Sequence, residues 1–209
     1  MDWVNWSLRQ LEKGLVPVHC RHSVSAEEIK GQRPEAVVLA SGAIPATPPI
    51  PGLDAPKVAD ARDVLTGKVK LAGPVVVLGA GYVGMETADF LLAGGIPVTV
   101  LEMLPTPPVT KLTAHGYWLH KRIRDLGGRL IFGAQVVAIE DAGVRYRRGE
   151  SEQVEPAVLV VTAMGARSEN ALEAVLKDLA IPYRAVGDAK NPRRILEAIH
   201  EGHQAGKEI

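Results

Sequence analysis

Val75-Val76-Val77-Leu78-Gly79-Ala80-Gly81-Tyr82-Val83-Gly84-Met85-Glu86 is the stretch on which the reading of this chain turns. Four apolar residues, mostly β-branched, form a strand-length run, three glycines make a turn, and an apolar segment up to Ala93 reads as a helix. G-x-G-x-x-G on its own recurs by chance; between a strand and a helix, each position acquires a physical task. Gly79 permits the tight turn, Gly81 lets a pyrophosphate approach the backbone, and Gly84 lets helix and strand pack closely. Phosphates held there meet the positive end of the helix dipole and N–H groups without a partner inside the helix. The alternative is a glycine-rich turn that holds no ligand.

The next strand, Val98 to Leu101, runs into Glu102, 18 residues after Gly84. That is close to the ~20 expected for an acid that accepts hydrogen bonds from ribose hydroxyls. A carboxylate there repels a 2′-phosphate, and neither Met103 nor Leu104 is a compensating arginine, so NAD(H) is favoured over NADP(H). The alternative is a solvated acid at a strand end. Beyond it, a helix over 112–126 closes on Gly127-Gly128 and leads into a strand, Arg129 to Phe132. Strands Gln135 to Ile139 and Val144 to Arg147 flank a hairpin turn at Asp141-Ala142-Gly143, and Ala157 to Val161 is a further buried strand. The fold class is α/β: a Rossmann-type dinucleotide-binding domain over 70–165, with a parallel sheet and a small β-meander.

Either side of this domain the pattern is less regular. Val4, Leu8 and Leu11 predict an amphipathic helix over 3–13, and Leu15 to Cys20 reads as a short strand. Ser25 caps a helical turn over 26–30, and Ala36 to Ala40 suits a parallel strand covered on both faces. Ile44 to Pro56 contains five prolines and reads as an ordered connector. The tail predicts a helix over 170–179, a strand over 183–186 and a helix over 192–206. Trp3 and Trp6 are expected in a core or a buried interface; without that cover they would stand exposed.

Composition bounds the partners. With 24 basic and 24 acidic residues the chain has no excess charge to neutralise phosphates, so neither nucleic acid nor an anionic membrane is expected. Its longest apolar runs are strand-sized, and Met1-Asp2-Trp3 does not open a signal peptide. Cys20 is the one cysteine, which excludes an internal disulfide, a C-x-x-C pair and an iron–sulfur site built from this chain alone. A cytoplasmic protein is the expectation. His19, Cys20 and His22 alternate across a strand and lack a fourth ligand, so no metal site is expected; His200 and His203 read as solvated helix residues.

Three further segments line up around the glycine turn. Ala40-Ser41-Gly42 ends one buried strand, Ala163-Met164-Gly165-Ala166 ends another, and Tyr183 to Val186 closes on Gly187-Asp188 ahead of a helix. In this order they resemble the pyridine-nucleotide-dependent flavoprotein family, in which an NAD domain is inserted into an FAD domain. The resemblance implies that the two strand-to-glycine turns mark crossings between domains. It also implies that Gly187 and Asp188 hold the ribityl chain of FAD, and that the helix start near Arg194 and Ile195 points at the flavin. Tyr82 would then gate the nicotinamide pocket, or simply rest on the sheet edge.

More narrowly, the ending Asn191 to Gly202, the opening Leu8 to Gly14 and the connector Pro45 to Gly52 are similar to the 2,4-dienoyl-CoA reductase and trimethylamine dehydrogenase group, old-yellow-enzyme-type NADH:flavin oxidoreductases. That group implies an FMN barrel, a cysteine-ligated iron–sulfur cluster and an FAD domain with its own G-x-G-x-x-G, none of which precedes Met1. Residues 1–69 and 166–209 are therefore expected to form an incomplete FAD-binding Rossmann-like domain whose remaining strands have unpaired edges. The expected partners are a dinucleotide and the missing N-terminal region of a parent enzyme, or a second chain.

The resulting cofactor-binding candidates are Gly79, Gly81, Tyr82, Val83, Gly84, Glu86, Glu102, Met103, Ala163, Met164 and Gly165, with Ala40, Ser41, Gly42, Gly187, Asp188 and Ile195 toward FAD. No catalytic residue is assigned. Two functions follow: a module that presents NADH for hydride transfer to FAD in an intact enzyme, inactive by itself, or a non-catalytic module holding an ADP-type nucleotide. A disulfide reductase is disfavoured by the single cysteine.

Overall fold

A computed structural model describes residues 2–209; Met1, the first residue of the expected 1–69 segment, lies outside the described residues. Two compact units emerge: Met1–Ser41 with Asn170–Ile209, and Gly42–Glu169.

The flanking unit begins with α1 (Trp3–Lys13), whose first turn is capped by the Asp2 carboxylate accepting the Val4 N–H. Helix α2 (Ala26–Gln32) carries the expected Ser25 cap, completed by Glu28 into a reciprocal capping box. Between them no strand forms. Leu15 sits at φ +54°, Pro17 has no N–H to donate, and Val16 and Val18 are exposed, so the apolar run has nothing to pair with or pack on. Strand β1 (Val37–Leu39) follows; Leu39 is buried but Val38 is exposed, so it is not covered on both faces as expected.

The central unit opens with β2 (Ala43–Pro45), then β3 (Val58–Asp60), α3 (Ala61–Leu65), β4 (Val75–Leu78), α4 (Tyr82–Ala93) and β5 (Val98–Glu102). Next come α5 (Ala114–Asp125), β6 (Arg129–Phe132), β7 (Gln135–Glu140), β8 (Gly143–Arg148), β9 (Ser151–Pro156), β10 (Leu159–Thr162) and β11 (Ala166–Ser168). The chain closes in the flanking unit with α6 (Leu172–Asp178), β12 (Tyr183–Ala185) and α7 (Ile195–Glu208).

Five parallel strands in the order β3-β10-β4-β5-β6 form the main sheet, a Rossmann-type dinucleotide-binding arrangement. Its centre, β4, is buried along its whole length, and the two-residue alternation of a strand divides it between two cores. Val75 and Val77 pack with Met85, Ala88 and Leu91 of α4 and with Ile123 of α5. Val76 and Leu78 pack on the opposite face with Ile139, Val144 and Tyr146 of the antiparallel meander β7-β8-β9. Each of the Val, Leu, Ile and Met side chains among these contributes about 1.5–3 kcal/mol of hydrophobic stabilisation.

The central unit is wider than the 70–165 segment read from sequence, because the proline-rich connector is itself structured. Strand β2 pairs antiparallel with β11, and β3, just beyond the prolines, adds to the main sheet beside β10. Strands β9 and β11 escape sequence reading. β9 is Ser151-Glu152-Gln153-Val154-Glu155-Pro156, polar because only one of its faces meets protein. In the flanking unit β1 and β12 form a two-stranded parallel sheet, each with a single neighbour among the described residues. Trp3 and Trp6 are 62% and 48% exposed, and no residue of α1 is buried. Among the described residues no helix is long and apolar enough to cross a membrane.

Replacing fully buried Leu91 by alanine removes packing that α4 cannot recover by shifting. Leu91→Ala is expected to lower unfolding free energy by about 2–5 kcal/mol in urea titration followed by circular dichroism.

Candidate functional site

Parallel order places the carboxyl ends of β10, β4 and β5 side by side, which is where doubly wound sheets bind ligands. Gly79 leaves β4, Glu102 ends β5, and Ala163 leaves β10, so the three sequence signatures of the central unit share one rim.

The three glycines are required for three different reasons. Gly79 sits at φ +103°, and a Cβ there would lie 2.5 Å from the Ala163 carbonyl oxygen. A Cβ on Gly84 would overlap the Gly79 carbonyl oxygen and press on the Ala163 methyl at 3.3 Å. Beyond its chain neighbours, nothing lies within 4 Å of where a Cβ on Gly81 would sit, and its φ is an ordinary −67°. Its lack of a side chain serves open space, where a phosphate can come against the backbone. Gly81 is also the N-cap of α4 and provides no side-chain cap, so the positive end of the helix dipole faces that opening.

Glu102 is buried, 6% exposed, and both its oxygens are engaged by the loop around it. Oε2 accepts the Ala80 N–H at 2.7 Å and Oε1 accepts the Leu104 N–H at 2.9 Å. It is therefore not a solvated strand-end acid; it joins the glycine turn to the segment after β5. Met103 beside it is 68% exposed. Met164 is partly buried against the meander core, and Gly165 turns at φ +92° while its carbonyl accepts the Ala46 N–H.

Tyr82 and Glu86 lie one turn apart on α4 and meet a residue that the sequence did not flag. The imidazole of His115, in the first turn of α5, stacks on the Tyr82 ring with centroids 5.4 Å apart and planes 14° from parallel. Its Nε2 donates to Glu86 Oε1 at 2.9 Å. Nothing in the sequence places position 115 beside position 82; only the packing of α5 on α4 does. Val83 is half exposed on the same first turn of α4.

Of the FAD-directed candidates, Ala40, Ser41, Gly187, Asp188 and Ile195 belong to the flanking unit, and Gly42, at φ +81°, opens the central one. Gly187 lies at φ +59° with Ala198 3.0 Å from where its Cβ would be. Its N–H donates to Glu201 Oε2 at 2.8 Å, while Asp188 Oδ1 accepts the Arg193 N–H at 2.9 Å. Glu201 also receives Arg193 at 2.6 Å and Lys190 at 3.2 Å. The Arg193 guanidinium first, then the Gly187 N–H, pull the Glu201 carboxyl down to about 2. Helix α7 starts at Ile195, which is exposed, three residues later than expected. Pro192 and the Asp188–Arg193 bond hold the preceding residues in a turn. His22 pairs with Glu28 at 2.7 Å, and among the described residues no three His, Cys, Asp or Glu side chains are grouped to hold a metal ion.

Two measurements test this geometry. Gly84→Ala should cost about 1–3 kcal/mol of stability, whereas Gly81→Ala should cost under about 1 kcal/mol, read from thermal midpoints. Glu201 has its folded value below its unfolded one, so its stabilising contribution is present above pH ~4.5 and fades as pH falls toward 2. Glu201→Gln should flatten the stability–pH curve across that window; an unchanged curve would show the carboxylate contributes nothing to the Gly187 turn.

Comparison with known proteins agrees with this geometry. Residues 10–190 match the family described as pyridine nucleotide-disulphide oxidoreductase. The NADH oxidase of Thermoanaerobacter brockii is 31% identical over 98% of this chain and 32% of its own length. The NADH-dependent phenylglyoxylate dehydrogenase subunit epsilon of Aromatoleum evansii is 36% identical over 65% of this chain and 34% of its own. A structure of 2-naphthoyl-CoA reductase superposes with TM-score 0.86 and 28% identity over 98% of this chain and 31% of its own. This chain thus spans about a third of the length of these relatives. The chain belongs to the pyridine nucleotide-disulphide oxidoreductase family.

Proposed function

We propose that the central unit binds NADH, in preference to NADPH, and presents it for hydride transfer to FAD within a longer NADH:flavin oxidoreductase. The observation that carries this reading is Glu102: a buried carboxylate fixed by two backbone N–H groups at the edge of the glycine turn, beside the opening at Gly81. A carboxylate oxygen has more than one lone pair, so it can hold the loop and still accept a ribose hydroxyl. A 2′-phosphate would bring a second anion against it, with exposed Met103 rather than an arginine alongside.

The narrower assignment, to the 2,4-dienoyl-CoA reductase and trimethylamine dehydrogenase group, draws support from the likeness to 2-naphthoyl-CoA reductase over nearly the whole chain. The residues of the flanking unit fit FAD: a glycine at positive φ packed against α7, followed by an aspartate beside a fixed turn. Gly187, Asp188, Ser41 and Ile195 would hold that cofactor, which when bound supplies the hydride acceptor. An iron–sulfur cluster would need thiolates from elsewhere, since Cys20 is the single cysteine, and FMN would belong to a barrel outside this sequence. Cytoplasmic location fits that cysteine content.

The rest of the FAD half would come from the N-terminal region of the parent enzyme or from a second chain. An internal comparison supports this. Strand β10, followed by Ala163-Met164-Gly165, lies between β3 and the glycine-turn strand β4. Strand β1, followed by Ala40-Ser41-Gly42, has β12 on one side and no strand on the other among the described residues. An added glycine-turn strand at that edge would complete the same pattern.

Titration calorimetry of the chain with NADH, NADPH and ADP tests the binding claim. NADH is expected to bind at least about tenfold more tightly than NADPH. Glu102→Ala should weaken NADH by roughly 10–100-fold, the cost of a lost charge-assisted hydrogen-bond pair, and narrow the preference. ADP bound as tightly as NADH would instead favour a non-catalytic nucleotide module, and no binding of either would overturn the proposal.

A further inference from the structure

We propose that the backbone carbonyls of Glu140, Asp141 and Ala157 form a monovalent-cation site in the central unit. Its resident cation is the ammonium of Lys57, and its ligand, once that side chain is cut back, is a primary alkylammonium. Lys57 immediately precedes β3, and its own carbonyl accepts the Val160 N–H of β10 at 2.8 Å. Its Nζ donates to the Glu140 carbonyl, to the Asp141 carbonyl at 3.1 Å and to the Ala157 carbonyl at 3.4 Å. An ammonium has three N–H donors and no acceptor, so three carbonyls match it one for one.

The backbone brings these carbonyls together without Lys57. Glu140 ends β7, Asp141 begins the turn into β8, and buried Ala157 follows β9. Strand β7 pairs with β8 at Glu140 and Gly143, and β8 pairs with β9 at Gly143 and Pro156. Gly143 lies at φ +152°, and a Cβ there would sit 2.1 Å from the Glu155 carbonyl oxygen, so the turn is pressed onto the end of β9. Ile139, next to Glu140, donates its N–H to the Pro51 carbonyl at 2.8 Å. The cradle is thus framed by strand ladders and close packing, and it persists when the Lys57 side chain is shortened.

Its chemistry selects the occupant. Carbonyl oxygens that converge on one point repel one another unless a positive charge lies between them, as in sites where carbonyls replace the hydration shell of an ion. The Glu140 carboxylate supplies no countercharge, because it is held by Arg145 at 2.8 Å. A ligand set of carbonyls suits a singly charged cation; a divalent metal ordinarily takes carboxylates as well.

Thermal midpoints and proton exchange test the site. Lys57→Ala should lower the midpoint by about 3–10 °C, the loss of a charge-assisted set of hydrogen bonds. Propylammonium replaces the missing carbons and the ammonium. At constant ionic strength it should restore that midpoint along a saturating curve and leave the wild-type midpoint alone. Tetramethylammonium, which has the charge but no N–H, should restore nothing. Lys57→Met keeps the stem and loses the charge; it should show the same drop without rescue, because its side chain occupies the path. In the wild-type chain, nitrogen–proton spectra should show the Lys57 ammonium exchanging with water more slowly than that of exposed Lys111.

Any of four results overturns the proposal. These are a wild-type midpoint in Lys57→Met, no rescue of Lys57→Ala by propylammonium, equal rescue by the two cations, or Lys57 exchange as fast as at Lys111. The exchange measurement needs no variant, so it decides the matter even if the substituted chains do not fold.

Discussion

The close approach of α4 to β4 at the glycine turn is the constraint from which the rest of the central unit follows. A helix can start this near the end of a buried strand only if the residues in contact have no side chain. At Gly84 the contact is with the carbonyl of Gly79, and at Gly79 it is with the carbonyl of Ala163. The second contact ties the segment after β10 to the same turn, where Ala163 carries only a methyl group. Once the helix is seated there, Met85, Ala88 and Leu91 meet Val75 and Val77, and one of the two cores is defined. The packing of this core and the shape of the rim at the glycine turn are two results of one close contact.

Glu102 is a cost that the fold accepts. Burying a carboxylate at the end of a fully buried strand is unfavourable unless its oxygens are hydrogen-bonded, and here each oxygen meets a backbone N–H. The same bonds hold Ala80 and Leu104, so the acid organises the loops on both sides of the strand end before any ligand arrives. Preorganisation of this kind lowers the ordering cost of binding.

Four strands of the main sheet, the glycine turn, the acid and the hairpin were legible because each rests on local chemistry: a strand-length apolar run, glycine at positive φ, a turn between two short strands. The misreadings share a different cause. Leu15 to Cys20 has a strand's composition but no neighbour, and β9 has a neighbour but a surface composition. Composition reports burial, and strand formation depends on pairing, which local sequence does not record. The proline-rich segment was read as a connector for the same reason: prolines exclude a sheet interior but permit edges such as β2, paired only to β11. Neither His115 nor Glu201 was legible, since each acts through a residue distant in sequence or on a helix face that only tertiary packing brings into place.

The two units present opposite balances. In the central unit a five-stranded sheet is covered on both faces and its polar groups are paired into the structure, including the Thr99–Glu155–Arg129 set that joins the meander to the sheet. In the flanking unit two parallel strands stand alone among the described residues, α1 buries none of its residues, and Trp3, Trp6 and Ile195 are exposed. Parallel strands are ordinarily buried between helices, and an isolated parallel pair is a poor minimum. Yet the Gly187-Asp188 turn of that unit is held in detail by Glu201, Arg193 and Lys190. A well-determined turn on an under-covered scaffold supports the proposal that this unit is part of a cofactor-binding half.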